Sequence, residues 1–251
     1  MRRSPRPLGC SFEQLEDRAL PTAFGVPWAD PGHVTLSFAP EGTQTPRGPS
    51  SLAQTLGAAG PATAWQREVL RGFQSWAAVT NVNIGLVRDG GQPLGTAGAV
   101  QGDARFGDVR VAAAPLGAGA IASALPFSWT GTTFSGDVLF DSGDRFGIGA
   151  TAGGFDVYSI ALHEAGHVFG LAHEDHDESA MDAGYDYRTG LDAADVAAIR
   201  ALYGVRAPDA NDAAGGNDTT ARASATSTTT SSRPSRRSGS RASPSESRRP
   251  G

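Results

Sequence analysis

His163 and His167 stand four residues apart, Gly170 follows three residues later, and His173 three after that, in the stretch HEAGHVFGLAH. No other feature restricts this chain so much. Two histidines at i and i+4 of a helix project from one face about a turn apart, a bite that suits Zn²⁺ at roughly 2.0–2.1 Å per nitrogen. A helix continuing past His167 would carry the next histidine away. Glycine can take the left-handed conformation that stops a helix and turns the chain back, so Gly170 allows His173 to reach the same ion. Three histidines leave one tetrahedral position for water, which separates catalytic from structural zinc. Glu164 sits directly after the first ligand, and a helix step of about 100° turns its carboxylate away from coordination. It is then placed to take a proton from a zinc-bound water and pass it to a leaving amine. The fourth histidine of this run, His176, lies in the acidic stretch HEDHDES and reads as solvated loop.

The remaining composition narrows the alternatives. With one cysteine, Cys10, no internal disulfide and no cysteine-based zinc site can form. All 21 basic residues are arginine, and they are unevenly spread: residues 25–206 hold 10 Arg against 19 acidic residues, whereas 207–251 hold seven Arg against four. An acidic middle argues against nucleic acid and is compatible with cation binding. No apolar run approaches the 18 residues that a membrane-spanning helix needs.

Along the chain, Val34, Leu36 and Phe38 alternate with Thr35 and Ser37 and predict a strand. Pro61 opens a helix whose apolar positions are Trp65, Val69, Phe73 and Trp76. Further strands are expected with Val82 and Ile84 between Asn81 and Gly85, at Val109, Val111 and Ala113, over 118–126, and over 137–140. A helix then carries His163 and His167. A last helix over about 191–203 begins with Asp192 and Asp195 in a capping-box spacing and ends at Gly204. This order predicts an α+β domain over residues 25–206 with one sheet and three helices. Residues 207–251, rich in Ser, Thr, Arg and Pro, cannot bury enough surface to offset chain entropy and read as a disordered tail. Residues 1–24 lack the 7–15-residue apolar core of an ordinary secretory signal. Their piece FEQLEDRALPT resembles the LEPR-type leader of planctomycete surface and secreted proteins, and a short amphipathic helix is the alternative.

The zinc-helix stretch resembles a metzincin, and within that clan a matrixin, the matrix-metalloproteinase type of peptidase family M10. Met181 falls eight residues after His173, as the Met-turn methionine does in matrixins, and Tyr185 matches the tyrosine that closes that segment. LDAADVAAIRALYG (191–204) is similar to the family's final helix, and GDVLFDSGDRF (136–146) to the segment before the zinc helix. The resemblance implies a zincin-like fold, α+β, with a mixed five-stranded twisted sheet. It implies calcium as a further cofactor, with Asp108 and Asp137 at one ion position and Asp141 and Asp144 at another; solvated strand-end carboxylates are the competing reading. Leu139 stands where the family's second, structural zinc would have its last ligand, so that site is expected to be absent. Cys10, in PRPLGCSF, shares only residue types with the family's cysteine-switch motif.

The expected activity is zinc-dependent endopeptidase action on extended polypeptides, from a secreted or cell-surface monomer. A peptide would add a strand beside 118–126 and send one side chain into a mostly apolar pocket, walled by Val168 and by 181–185. A catalytically silent zinc-binding surface or adhesion module with the same fold is the alternative, and hydrolysis of a non-peptide substrate is a third reading.

Overall fold

The computed structural model describes residues 25–117, 119–128, 131–150 and 153–208. The leader segment 1–24 with Cys10, and the tail from residue 209, lie outside the described residues.

The expected sheet is present. Strands β1 (Val34–Phe38), β4 (Ile84–Leu86), β5 (Val109–Ala114), β6 (Ala122–Ala124) and β7 (Val138–Asp141) form one sheet in the order β4-β1-β5-β7-β6. The first four in that order run parallel, with Val34 opposite Ile84, Leu36 opposite Val109 and Val111 opposite Val138. Only β6 is antiparallel, with Ala122 opposite Phe140, and it lies at the sheet edge. Strands β2 (Gln44–Thr45) and β3 (Gly48–Pro49) make a small hairpin, and β8 (Phe146–Gly147) pairs β9 (Phe155–Asp156) in parallel. The helices are α1 (Leu52–Gly57), α2 (Ala62–Ala77), α3 (Val157–Val168) and α4 (Ala193–Tyr203). Sheet and helices make the α+β arrangement, with four α-helices where three were expected.

The fourth, α1, carries only Leu52 and Leu56 as buried residues, too few for a periodic signal. Two strands also differ in extent. Pairing of β4 begins at Ile84 rather than Val82, because the amide of Asn83 is already bonded to the Pro31 carbonyl (2.9 Å). In 118–126 only Ala122–Ala124 pairs as a strand. The chain just before it turns around the carboxylate of Asp141, which accepts from the Leu116 amide (3.0 Å).

The core explains why α3 sits where it does. Helix α2 buries Trp65, Val69, Phe73 and Trp76, the stripe read from the sequence. Its Gly72 lies against α3, where a Cβ would stand 2.7 Å from the Ala161 carbonyl carbon. This contact draws the two helices together, and the indole of Trp76 donates to the Leu162 carbonyl at 2.8 Å. Every residue of α3 is buried. Leu139, on β7, packs with Phe134 onto a small apolar cluster of Ala39, Leu94 and Ala112.

Candidate metal centre and active site

Helix α3 begins at Asp156, whose side chain accepts from the Ser159 amide (2.9 Å) and so caps the free N–H groups of the first turn. It ends at Gly170, with φ of +93°. The Gly170 amide bonds the His167 carbonyl (2.8 Å) and the Leu171 amide bonds the Gly166 carbonyl (2.9 Å), the two bonds of a Schellman motif. Two more carbonyls of the last turn are satisfied from far along the chain: the Trp28 indole donates to Val168 O (3.0 Å), and the Tyr203 hydroxyl to Phe169 O (2.9 Å). The turn expected at Gly170 thus carries the chain back to His173.

The three histidines converge. Their Nε2 atoms stand 3.0 Å (His163–His167), 3.1 Å (His167–His173) and 3.2 Å (His163–His173) apart. A triangle of that size leaves a point about 2.0–2.1 Å from all three nitrogens, roughly 1 Å off their plane, which fits Zn²⁺. The opposite ring nitrogens of the helical pair are engaged: His163 Nδ1 is 2.8 Å from Ala180 O, and His167 Nδ1 is 2.8 Å from Leu171 O. A carbonyl can only accept, so Nδ1 carries the proton and Nε2 presents its lone pair to the centre. Burial holds the His163 ring well below the usual imidazole range, helped by His167 and His173 and, to a smaller degree, Arg188. Burial, with His173, pushes His167 down to about 3. Both rings are therefore neutral near pH 7, the form a metal requires. Among the described residues this is the one group of three or more His, Cys, Asp or Glu side chains that could hold a metal ion. Glu164 is buried beside it on α3.

The Met-turn lies under this triad. Met181 is buried, and its sulfur occupies the space beside Gly166, where a Cβ would clash with it. The Ala180 carbonyl that holds His163 is itself placed by Asp195 of α4. The buried Asp195 carboxylate accepts from Ser179 Oγ (2.6 Å), the Ala180 amide (2.9 Å) and the Asp192 amide (2.9 Å). The sequence shows Asp192 and Asp195 as a capping box, and that box is present. Its second function, reaching back 15 residues to the Met-turn, leaves no local signal. Tyr185 closes the segment: its hydroxyl accepts from the Asp156 amide (2.9 Å), and its ring meets Phe155 edge-on.

The other expected site residues are placed less uniformly. His176 is exposed and lies 3.4 Å from Asp192. Val168 and Met181 are wholly within the core, so of the expected pocket walls the surface is left to 182–185. Asp141 and Asp144 share a concave site of about 260 Å³ with Gly117, Gly119, Ala120 and Ile121. Burial, and then the Asp141 charge, raise the Asp144 carboxyl above its ordinary value. Asp108 and Asp137 are both buried. The oxygens of Asp108 accept from the Thr35 amide and hydroxyl (both 2.8 Å) and from the Gly102 amide (2.5 Å). Asp137 accepts from the Arg110 amide (3.2 Å), and its other oxygen has no hydrogen-bond partner.

A triad on a helix and its return loop, above a buried methionine, in a mixed sheet with an antiparallel edge strand, defines a metallopeptidase-type fold. The model of the matrixin family matches residues 57–204, and the chain belongs to that family. Matrix metalloproteinase-20 of Homo sapiens is 36% identical over 80 residues, covering 30% of this chain and 16% of that protein. Stromelysin-2 of Rattus norvegicus is 35% identical over 81 residues, 30% of this chain and 17% of its own length. Matrix metalloproteinase-19 of Mus musculus is 39% identical over 80 residues, 31% of this chain and 15% of its own. The match thus spans only a small part of each relative's length.

Proposed function

We propose that the protein is a zinc-dependent endopeptidase, with His163, His167 and His173 as the zinc ligands and Glu164 as the general base. The observation that carries this reading is the convergence of three Nε2 atoms within 3.0–3.2 Å of one another. Zinc bound there supplies a Lewis acid that lowers the pKa of water towards about 7 and polarises a scissile carbonyl. Glu164 takes the proton of the attacking water and delivers it to the departing amine nitrogen. The backbone acceptors Ala180 O and Leu171 O keep the two helical imidazoles in the ligating tautomer throughout.

The substrate is an extended polypeptide. It lies along β6, whose position at the sheet edge leaves one side open for main-chain pairing. Leu125, half exposed just beyond that strand, offers apolar contact surface. Calcium at Asp141 and Asp144 is part of the same proposal: two carboxylates on a concave surface suit a hard cation, which would offset the repulsion between them. The Asp108–Asp137 pair fits less well, because both oxygens of Asp108 already accept protein hydrogen bonds. The domain division at residues 25–206 and a secreted or cell-surface location belong to the proposal too. Among the described residues no helix is long and apolar enough to cross a membrane.

The test is Glu164→Ala. The variant is expected to bind one zinc per chain and lose about 10²–10⁴-fold in cleavage of a peptide library. Equal cleavage by both proteins refutes the assignment of Glu164. A wild type that binds zinc yet cleaves no peptide supports the silent module instead.

A further inference from the structure

Of the three proposed ligands, His163 and His167 share a helix and are fixed relative to each other, but His173 is on a loop. The loop after it is strongly acidic. Residues 174–186 hold Glu174, Asp175, Asp177, Glu178, Asp182 and Asp186 and no arginine, so their mutual repulsion works against a compact arrangement. Near the triad, Glu174 bonds through its amide to Met181 O (3.0 Å). Further on, the chain is reached by Arg188. Its Nη2 donates to Asp177 O at 2.6 Å and lies 3.8 Å from carboxylate oxygens of both Asp182 and Asp186. The Arg188 side chain is only 15% exposed and Asp182 24%, so this pair is screened less than the one with the exposed Asp186. Its own backbone is tied to the zinc helix: the Arg188 amide donates to Ser159 Oγ at 2.9 Å, and that hydroxyl donates to the capping carboxylate of Asp156 at 2.8 Å. Ser159 is one turn before His163.

We propose that Arg188 is a positioning residue for the metal centre. It spans from the helix that carries His163 and His167 to the loop that carries His173, and so sets the third ligand against the first two. The reach of the arginine matters, since Nη2 at its tip bonds a carbonyl and stands within ion-pair distance of two carboxylates. A lysine ammonium is a point charge with a different reach. This inference rests on the zinc reading above, and the experiment separates the two.

Full-length wild type, Arg188→Ala, Arg188→Gln and Arg188→Lys are loaded with zinc, and zinc transfer to a chelating dye is followed. Absorption spectra of the cobalt-substituted proteins are recorded in parallel. Loss of a group that orients ligands typically costs 10–100-fold in metal affinity. Arg188→Ala and Arg188→Gln are expected to release zinc at least tenfold faster and to show altered cobalt bands. Arg188→Lys should fall between them and wild type. Peptide cleavage by the variants should fail in zinc-limited buffer and recover in excess zinc, a recovery that damage to the fold would not show. Release rates and cobalt spectra matching wild type in all three variants overturn the proposal, as does cleavage that excess zinc does not restore. If Arg188→Ala does not fold, the Gln and Lys variants decide by the same readouts. A wild type that takes up no zinc overturns the zinc reading itself.

Discussion

Replacing Asp195 by alanine tests the link between the last helix and the candidate metal centre. The carboxylate is buried and accepts from Ser179 Oγ, Ala180 N and Asp192 N at 2.6–2.9 Å. Hydrogen bonds to a charged group are worth about 1.5–3 kcal/mol each. The sum overstates the loss, because the variant no longer has a charge to desolvate. Two buried donors and the part-buried Asp192 amide nevertheless lose their partner, and truncating one side of a buried charged network typically costs about 3–5 kcal/mol. We expect Asp195→Ala to lose about that much in denaturant unfolding, with a fall of about 10 °C in Tm for a domain of this size. Asp195→Asn, which keeps the shape and one accepting oxygen, should lose about 1–3 kcal/mol. Both should weaken zinc binding, since Ala180 holds His163 through its carbonyl while its amide is bonded to Asp195. An Asp195→Ala protein within 1 kcal/mol of wild type, with unchanged zinc affinity, would show that the Met-turn holds its shape without α4.

Gly166→Ala places a methyl against the Met181 sulfur and 3.0 Å from the Trp76 ring; we expect about 1–3 kcal/mol of destabilisation by chemical denaturation, partly recovered by shortening Met181. The Tyr203 phenol, raised to about 12 by burial, is protonated in the folded protein where an unfolded tyrosine ionises near 10. Its contribution is therefore fully present below about pH 10 and is lost as pH rises to about 12, so wild type should lose about 2 kcal/mol more stability than Tyr203→Phe across that window. Calcium should raise the Tm of wild type, and Asp141→Asn with Asp144→Asn should abolish the rise; an equal rise in the double variant refutes calcium at that site.

Much of this architecture was legible because it is written locally. The spacing of Trp65, Val69, Phe73 and Trp76 gave the buried face of α2, the Asp192–Asp195 pair gave the start of α4, and Gly170 marked the end of α3. What could not be read depends on partners distant in sequence. Arg110 illustrates this. It interrupts an otherwise apolar strand, yet its guanidinium is fully buried, paired with Asp89 at 2.8–2.9 Å and donating to Gln92 O at 2.7 Å. The cation holds the chain after β4 against the sheet, and no short-range pattern announces it. Arg188 and Asp195 follow the same rule, each acting on a loop ten or more residues away. The short helix α1 escaped for another reason, since six residues offer too little periodicity to detect.

The carbonyls at the end of α3 are closed by Trp28 and Tyr203, and the Tyr203 hydroxyl also accepts from the Trp28 amide across 175 residues of chain. Loop closure over such a span is entropically costly and is not repaid until both partners are in place. The local bonds of the Gly170 turn are thus supplemented by two long-range ones, and the second of these requires α4 to be docked. A chain truncated before α4 would therefore lack the Tyr203 bond to the Phe169 carbonyl, next to the turn that leads to the proposed third ligand. If the chain cleaves peptides as proposed, that capacity would depend on the C-terminal helix as well as on the ligands themselves.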